Sequence, residues 1–222
     1  FTPGEITAVL GEKAGKHFCS EYDITDNGNF EGKSIPNLLK NRSFENAHQG
    51  MEHNFVKLLE YRVKRTKLHK DDKILTSWNA LMIAAMCRAY NVFGSDEHLA
   101  AAKKAFSFIK NSLTDDNGRL KVRWREGESV GVGKLEDYAF FAWAALELYS
   151  CTLKAEHLEM AVNTATIMTE RFFDRENGGF YLYADDGEQL LTRPKEVYDG
   201  AMPSGNSVAA LVLVRLAALT DR

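Results

Sequence analysis

Cysteine, proline, long apolar runs and any excess of one charge are scarce in these 222 residues, and each scarcity closes off a class of function. The three cysteines, Cys19, Cys87 and Cys151, are odd in number, far apart and without a CxxC motif, which excludes a disulfide framework and points to free thiols in a reducing compartment. There are 4 prolines, where ordinary usage of ~5% would give about 11, so few helices are interrupted. No run reaches the ~18 apolar residues of a membrane span, and the opening FTPGEITAVL lacks the basic-then-apolar layout of a signal peptide. A cytoplasmic chain with no membrane partner is expected. The formal net charge of −3 offers no positive field to nucleic acid, and the basic tail RVKRTKLHK reads as a helix C-terminus that offsets the macrodipole. The 6 histidines form no HExxH and have no zinc spacing to cysteine, so no metal and no cofactor is expected.

What is present describes a folded chain: 45% hydrophobic and 27% charged residues are near the globular average. Residues 1–222 read as a single helical domain, and a start at Phe1 suggests a fragment of something longer. Hydrophobic periodicity predicts helices over 3–22, 46–67, 77–93, 96–113, 135–152, 156–173 and 204–219, with turns or a short hairpin in 23–45. From residue 76 the pattern repeats. Tyr90, Glu97, His98 and Leu99 recur at one constant offset as Tyr149, Glu156, His157 and Leu158, and Asn117-Gly118 recurs as Asn177-Gly178 after a single further insertion. Ser77-Trp78-Asn79 returns as Ser204-Gly205-Asn206 after roughly two such periods and opens a third unit.

Segments 78–90, 138–149 and 206–219 are apolar nearly all round, whereas 96–112 and 156–171 are amphipathic. Inner and outer helices therefore alternate. A period near 60 exceeds the ~34–47 of helical solenoids and favours part of an all-α (α/α) toroid. Short strand-like pieces, 120–124, 179–183 and 190–193, suggest β-hairpins in the rim loops.

Polar residues gather before each inner helix: Asp71, Asp72, Lys73, Ser77, Trp78 and Asn79, then Lys134, Glu136, Asp137 and Tyr138, then Arg193, Lys195, Glu196, Asp199, Ser204 and Asn206. Parallel inner helices bring these clusters to one mouth. Carboxylates, amides and aromatic faces there suit a sugar, with Asp72, Glu136, Asp137, Glu196 and Asp199 as acid–base candidates. Trp78 and Tyr138 would stack a ring, while Asn79, Arg193, Lys195, Ser204 and Asn206 would bind its hydroxyls or a carboxylate. A cap or scaffold role is the alternative for each, because helix N-termini favour such residues on stability grounds alone.

The strings LHKDDKILTSWNALMIAAMCRAY, GKLEDYAFFAWAALELY, ENGGFY and LLTRPKEVYDGAMPSGNSVAALVLVRLAALT, with FTPGEI and YDITDNGNFEGKSIPNL before them, resemble the C-terminal half of the family related to spermatogenesis-associated protein 20 and bacterial YyaL. The resemblance implies a helical toroid similar to six-hairpin glycosidases and N-acylglucosamine 2-epimerases, hence a carbohydrate-related domain most like a glycoside hydrolase. It also implies a thioredoxin-like N-terminal domain, which this sequence lacks, so no redox activity carries over. Seven predicted helices fall short of twelve, so an open arc that self-associates through its apolar seam is expected. The epimerase relatives use histidines on inner helices, and none lies on 78–90, 138–149 or 206–219. Carboxylate chemistry is thus the expectation; a sugar epimerase or isomerase and a non-catalytic sugar-binding or interaction module are the alternatives.

Overall fold

The computed structural model describes residues 1–41, 49–187 and 191–221. The predicted helix start at 46, His48 and Leu190 of the third strand-like piece lie outside the described residues. The chain forms two compact units, Phe1–Asp71 and Asp72–Arg222. Among the described residues no helix is long and apolar enough to cross a membrane.

In the first unit, α1 (Pro3–Leu10) starts on a capping box: Thr2 Oγ1 accepts from the Glu5 amide at 3.2 Å, and the Glu5 carboxylate accepts from the Thr2 amide at 2.9 Å. The single helix expected over 3–22 is in fact two. Gly11 adopts φ 84°, outside helical space, and α2 (Glu12–Glu21) restarts beyond it. Gly15 then lies so close to α1 that a Cβ would sit 2.6 Å from Thr7 Cα, so the break lets α2 fold back on α1. With α3 (Glu52–Arg65) these helices bury Ile6, Phe18, Tyr22, Ile24, Met51 and Leu58.

The second unit holds the repeats. Helices α4 (Thr76–Phe93), α6 (Leu135–Thr152) and α8 (Gly205–Thr220) are the inner ones, and α5 (Asp96–Ser112) and α7 (Ala155–Phe172) the outer ones. Helix α6 is central, with α4 and α8 packed on either side of it and α7 behind. Its Ala139, Ala142, Ala144 and Ala145 let those neighbours approach, and its Phe140, Phe141, Leu146 and Leu148 fill the space between them, all 0% exposed. Phe106 of α5 stacks on Phe141 at 4.9 Å, tying an outer helix to this centre. Trp78 and Met82 on α4, and Leu211 and Val214 on α8, remain exposed.

The repeat extends to the joints. Gly94 and Leu153, equivalent positions in successive repeats, both take left-handed conformations and donate to the Tyr90 and Tyr149 carbonyls, ending α4 and α6 alike. Asp115 Oδ1 accepts from the amides of Asn117 and Arg119, and Asp174 Oδ1 from those of Glu176 and Asn177, folding the two Asn-Gly turns. After the first turn comes an antiparallel sheet: β1 (Ile74–Leu75) pairs with β2 (Lys121–Arg125), Ile74 opposite Trp124, and β2 pairs with β3 (Glu128–Val132), Arg123 opposite Val130. After the second turn, the strand expected at 179–183 is reduced to one bridge between Phe173 and Phe180. The Asn206 side chain takes both the Phe180 amide and its carbonyl, which the bridge to Phe173 does not use, so the outer edge of Phe180 is closed to a further strand. Residues 191–193, the described part of the third expected strand, form none.

Candidate functional site

Most of the predicted site residues at the N-terminal ends of the inner helices are committed to the backbone. Asp137 is 1% exposed; its Oδ1 accepts from the Ser77 amide at 3.0 Å and its Oδ2 from the Lys134 amide at 2.8 Å, so it fastens the start of α6 to that of α4. Burial, the larger effect, pushes its carboxyl up to about 7 against those two donors. Tyr138, expected to stack on a sugar, is fully buried instead. Its ring lies 5.1 Å from that of Phe172, and its hydroxyl accepts from the Leu120 amide and from Arg119 Nε, so no ligand reaches it.

The third cluster is similarly engaged. Asn206 bonds Phe180 and also donates to the Glu196 carbonyl at 2.9 Å. Ser204 caps α8 by accepting from the Ser207 amide at 3.1 Å, while Asp199 accepts from the Ser204 amide at 2.7 Å and the Ser207 hydroxyl at 2.9 Å, which lower its pKa. Lys195 Nζ reaches Asp174 at 2.6 Å and the Gly178 carbonyl at 2.7 Å; Arg193 lies over the Tyr181 ring and donates to the Tyr183 carbonyl. In the first cluster, Asp72 pairs with Arg125 at 2.8 Å, and Asn79 donates to the Leu75 carbonyl.

Two residues stand apart. Glu136, one position before Asp137, is half-buried and accepts no hydrogen bond or ion pair from the described residues. Burial first, and the charge of Glu196 in addition, raise its pKa, while Lys134 pulls it down. Trp78, at the equivalent end of α4, is 60% exposed. Among the described residues, the mouth therefore retains a protonatable carboxyl near a second, exposed carboxylate, and an open indole.

Farther along the same helices lies a row absent from the predicted set. Arg88, Glu147 and Arg215 occupy one repeat position on α4, α6 and α8, with the same spacings that relate Ser77 to Glu136 and to Ser204. Glu147 Oε1 accepts from Arg88 Nη2 at 2.9 Å, Arg215 Nη1 at 2.5 Å and Trp143 Nε1 at 3.0 Å. Burial alone would raise the Glu147 pKa; the two guanidinium bonds outweigh it and hold it low. The available signal was a lone charge in each apolar segment, 78–90, 138–149 and 206–219, in register. Among the described residues no three His, Cys, Asp or Glu side chains converge as metal ligands.

Inner and outer helix layers with a polar mouth are the architecture of (α/α)6 toroids, and comparison with solved structures gives the same class. The chain matches a cellobiose 2-epimerase from Bacillus thermoamylovorans with TM-score 0.57 and 17% identity over 70% of this chain and 42% of that one. A GH76 α-mannanase from Bacteroides thetaiotaomicron matches with the same values, and a family 105 glycoside hydrolase from C. acetobutylicum with TM-score 0.55 and 14% identity over 98% and 69%. At these identities the likeness to carbohydrate-active enzymes establishes the fold alone. No family model matches the chain. In sequence it is homologous over most of its length to spermatogenesis-associated protein 20. It is 33% identical over 213 residues to the Rattus norvegicus protein, across 87% of this chain and 27% of that protein, and 29% identical over 236 residues to the Homo sapiens protein, across 93% and 30%. The chain thus spans less than a third of these relatives.

Proposed function

We propose that the second unit forms a carbohydrate-active wall, with Glu136 as general acid at the mouth, Glu196 as the second carboxylate and Trp78 as a stacking face for a sugar ring. The observation that carries this reading is Glu136 itself. A half-buried carboxyl whose pKa is raised by burial, and which has no partner among the described residues, suits a group that gives a proton to a glycosidic oxygen. Glu196, which is exposed and whose charge is felt at Glu136, would take the base or nucleophile role of a carboxylate pair. The other carboxyl candidates fit structural roles better, since Asp137, Asp199 and Asp72 already satisfy a backbone amide or an arginine.

The test is to incubate the chain with a panel of mono- and oligosaccharides, following both binding and product release, alongside Glu136→Gln. The expected result is turnover of at least one glycoside, with about a 10²–10⁴-fold loss of rate in Glu136→Gln and no loss of binding. Equal turnover by both proteins would remove Glu136 from the chemistry. A second reading, a sugar-binding module without catalysis, is favoured by the number of mouth residues spent on backbone groups. It predicts binding without turnover in either protein.

A further inference from the structure

The Arg88, Glu147 and Arg215 row lies about three helical turns along the inner helices from the mouth, about 16 Å at roughly 1.5 Å per residue, and its chemistry differs from that of the mouth. Two guanidiniums surround one carboxylate, so the row keeps a net positive charge. Glu147 occupies Arg88 Nε and Nη2 but only Nη1 of Arg215. Each guanidinium has five N–H donors, and the remainder meet no other acceptor among the described residues. The Glu147 side chain is 2% exposed, whereas those of Arg88 and Arg215 are 64% and 26% exposed, so the unused donors face solvent while the negative charge does not.

Trp143 completes the arrangement. It sits one helical turn before Glu147 on the same face of α6, and its indole N–H is fixed on the Glu147 carboxylate at 3.0 Å. The ring is thereby held in one orientation beside the guanidiniums, partly packed on the apolar core and partly open to solvent. A fixed aromatic face suits the C–H face of a sugar, and a planar fork of donors suits an oxyanion bidentately.

We propose that Arg88, Arg215 and Trp143 form a subsite for an acidic sugar, its ring on Trp143 and its carboxylate or phosphate on the two guanidiniums, with Glu147 as the positioning residue that orients all three. The sugar half of this inference rests on the carbohydrate reading above; the anion half rests on the guanidiniums.

The test is calorimetric titration of the full chain with glucose, glucuronate, glucose 6-phosphate and inorganic phosphate, repeated on Arg88→Gln and Arg88→Lys. Arg88 is the right probe because its exposed side chain can be shortened without opening the core, and thermal unfolding verifies that both variants fold. The expected result is that one or both anionic sugars bind at least about ten-fold more tightly than glucose. Arg88→Gln should lose that preference with glucose affinity unchanged, Arg88→Lys should keep part of it, and added salt should weaken it. Preference for glucuronate or for glucose 6-phosphate identifies the oxyanion. Glucose binding as well as its acidic counterparts would overturn the anion subsite and leave the carbohydrate reading standing. Retention of the preference in Arg88→Gln, binding of inorganic phosphate alone, or no binding at all would each overturn it, the last together with the sugar reading.

Discussion

Arg88 and Glu147 occupy the same position in successive repeats and meet at 2.8 Å, so the alignment of the two helices is written into an ion pair as well as into their packing. The two partners differ sharply in burial, and removing them should differ accordingly. Glu147→Ala removes the one buried acceptor that two guanidiniums and the Trp143 indole share, and should cost about 1.5–3 kcal/mol. Arg88→Ala removes a largely exposed partner and should cost at most about 1 kcal/mol. Urea unfolding of both variants checks the asymmetry; equal losses would show that the pair acts as an indivisible tie.

Asp137 gives the second unit a pH dependence of unusual sign. Its carboxyl titrates at 3.8 when unperturbed and is pushed up to about 7 in the folded protein. Between these values the folded protein holds a proton that the unfolded chain has released, so stability is fully present below the interval and falls as pH rises through it. The slope is at most about 1.4 kcal/mol per pH unit. Asp174 and Asp186, shifted the other way by Lys195 and Arg119, lose their contribution at lower pH, and His157, lowered by burial, likewise costs stability as pH falls below its ordinary range, so all three oppose Asp137. Comparison with Asp137→Asn separates these effects. The stability gap between wild type and variant should be widest below about pH 4 and narrow steadily towards pH 8 in thermal unfolding.

Asn206 holds three backbone groups from two chain segments, namely the Phe180 amide and carbonyl and the Glu196 carbonyl. Asn206→Ala should destabilise the protein by about 1–3 kcal/mol. Amide exchange at Phe180 should accelerate more than exchange in α6, because the loss is local before it is global.

Gly205, at the start of α8, occupies the repeat position of Trp78, and here the close approach of two helices forbids a side chain. A Cβ would lie 2.8 Å from Leu135 Cγ and 3.2 Å from the Glu136 amide nitrogen. Gly205→Ala should therefore cost about 1–3 kcal/mol by wedging α8 from α6. A crystal structure of the variant should show the start of α8 displaced from Glu136.

The helical repeat was legible because one constant offset governs helices, caps and turns together, so Gly94 and Leu153 end their helices alike. The α1–α2 break was not, because Gly11 sits in an amphipathic pattern that continues through it, and only its positive φ and the contact of Gly15 with Thr7 reveal the fold-back. The mouth was legible as a place but not residue by residue. A helix N-terminus recruits Asp, Ser and Asn for its own unpaired N–H groups, so Asp137 and Ser204 carry the same signal whether or not they meet a ligand. Glu136 and Asp137 are adjacent in sequence, and only the helical turn between them separates the open carboxyl from the buried one. Arg88, Glu147 and Arg215 were not legible as a site because each lies within an apolar segment whose pattern reports packing alone.

The signs along that row run plus, minus, plus. Each neighbouring pair of these inner helices therefore meets through opposite charges at that level, and a change of sign at any one of the three positions would set like charges side by side across at least one helix junction.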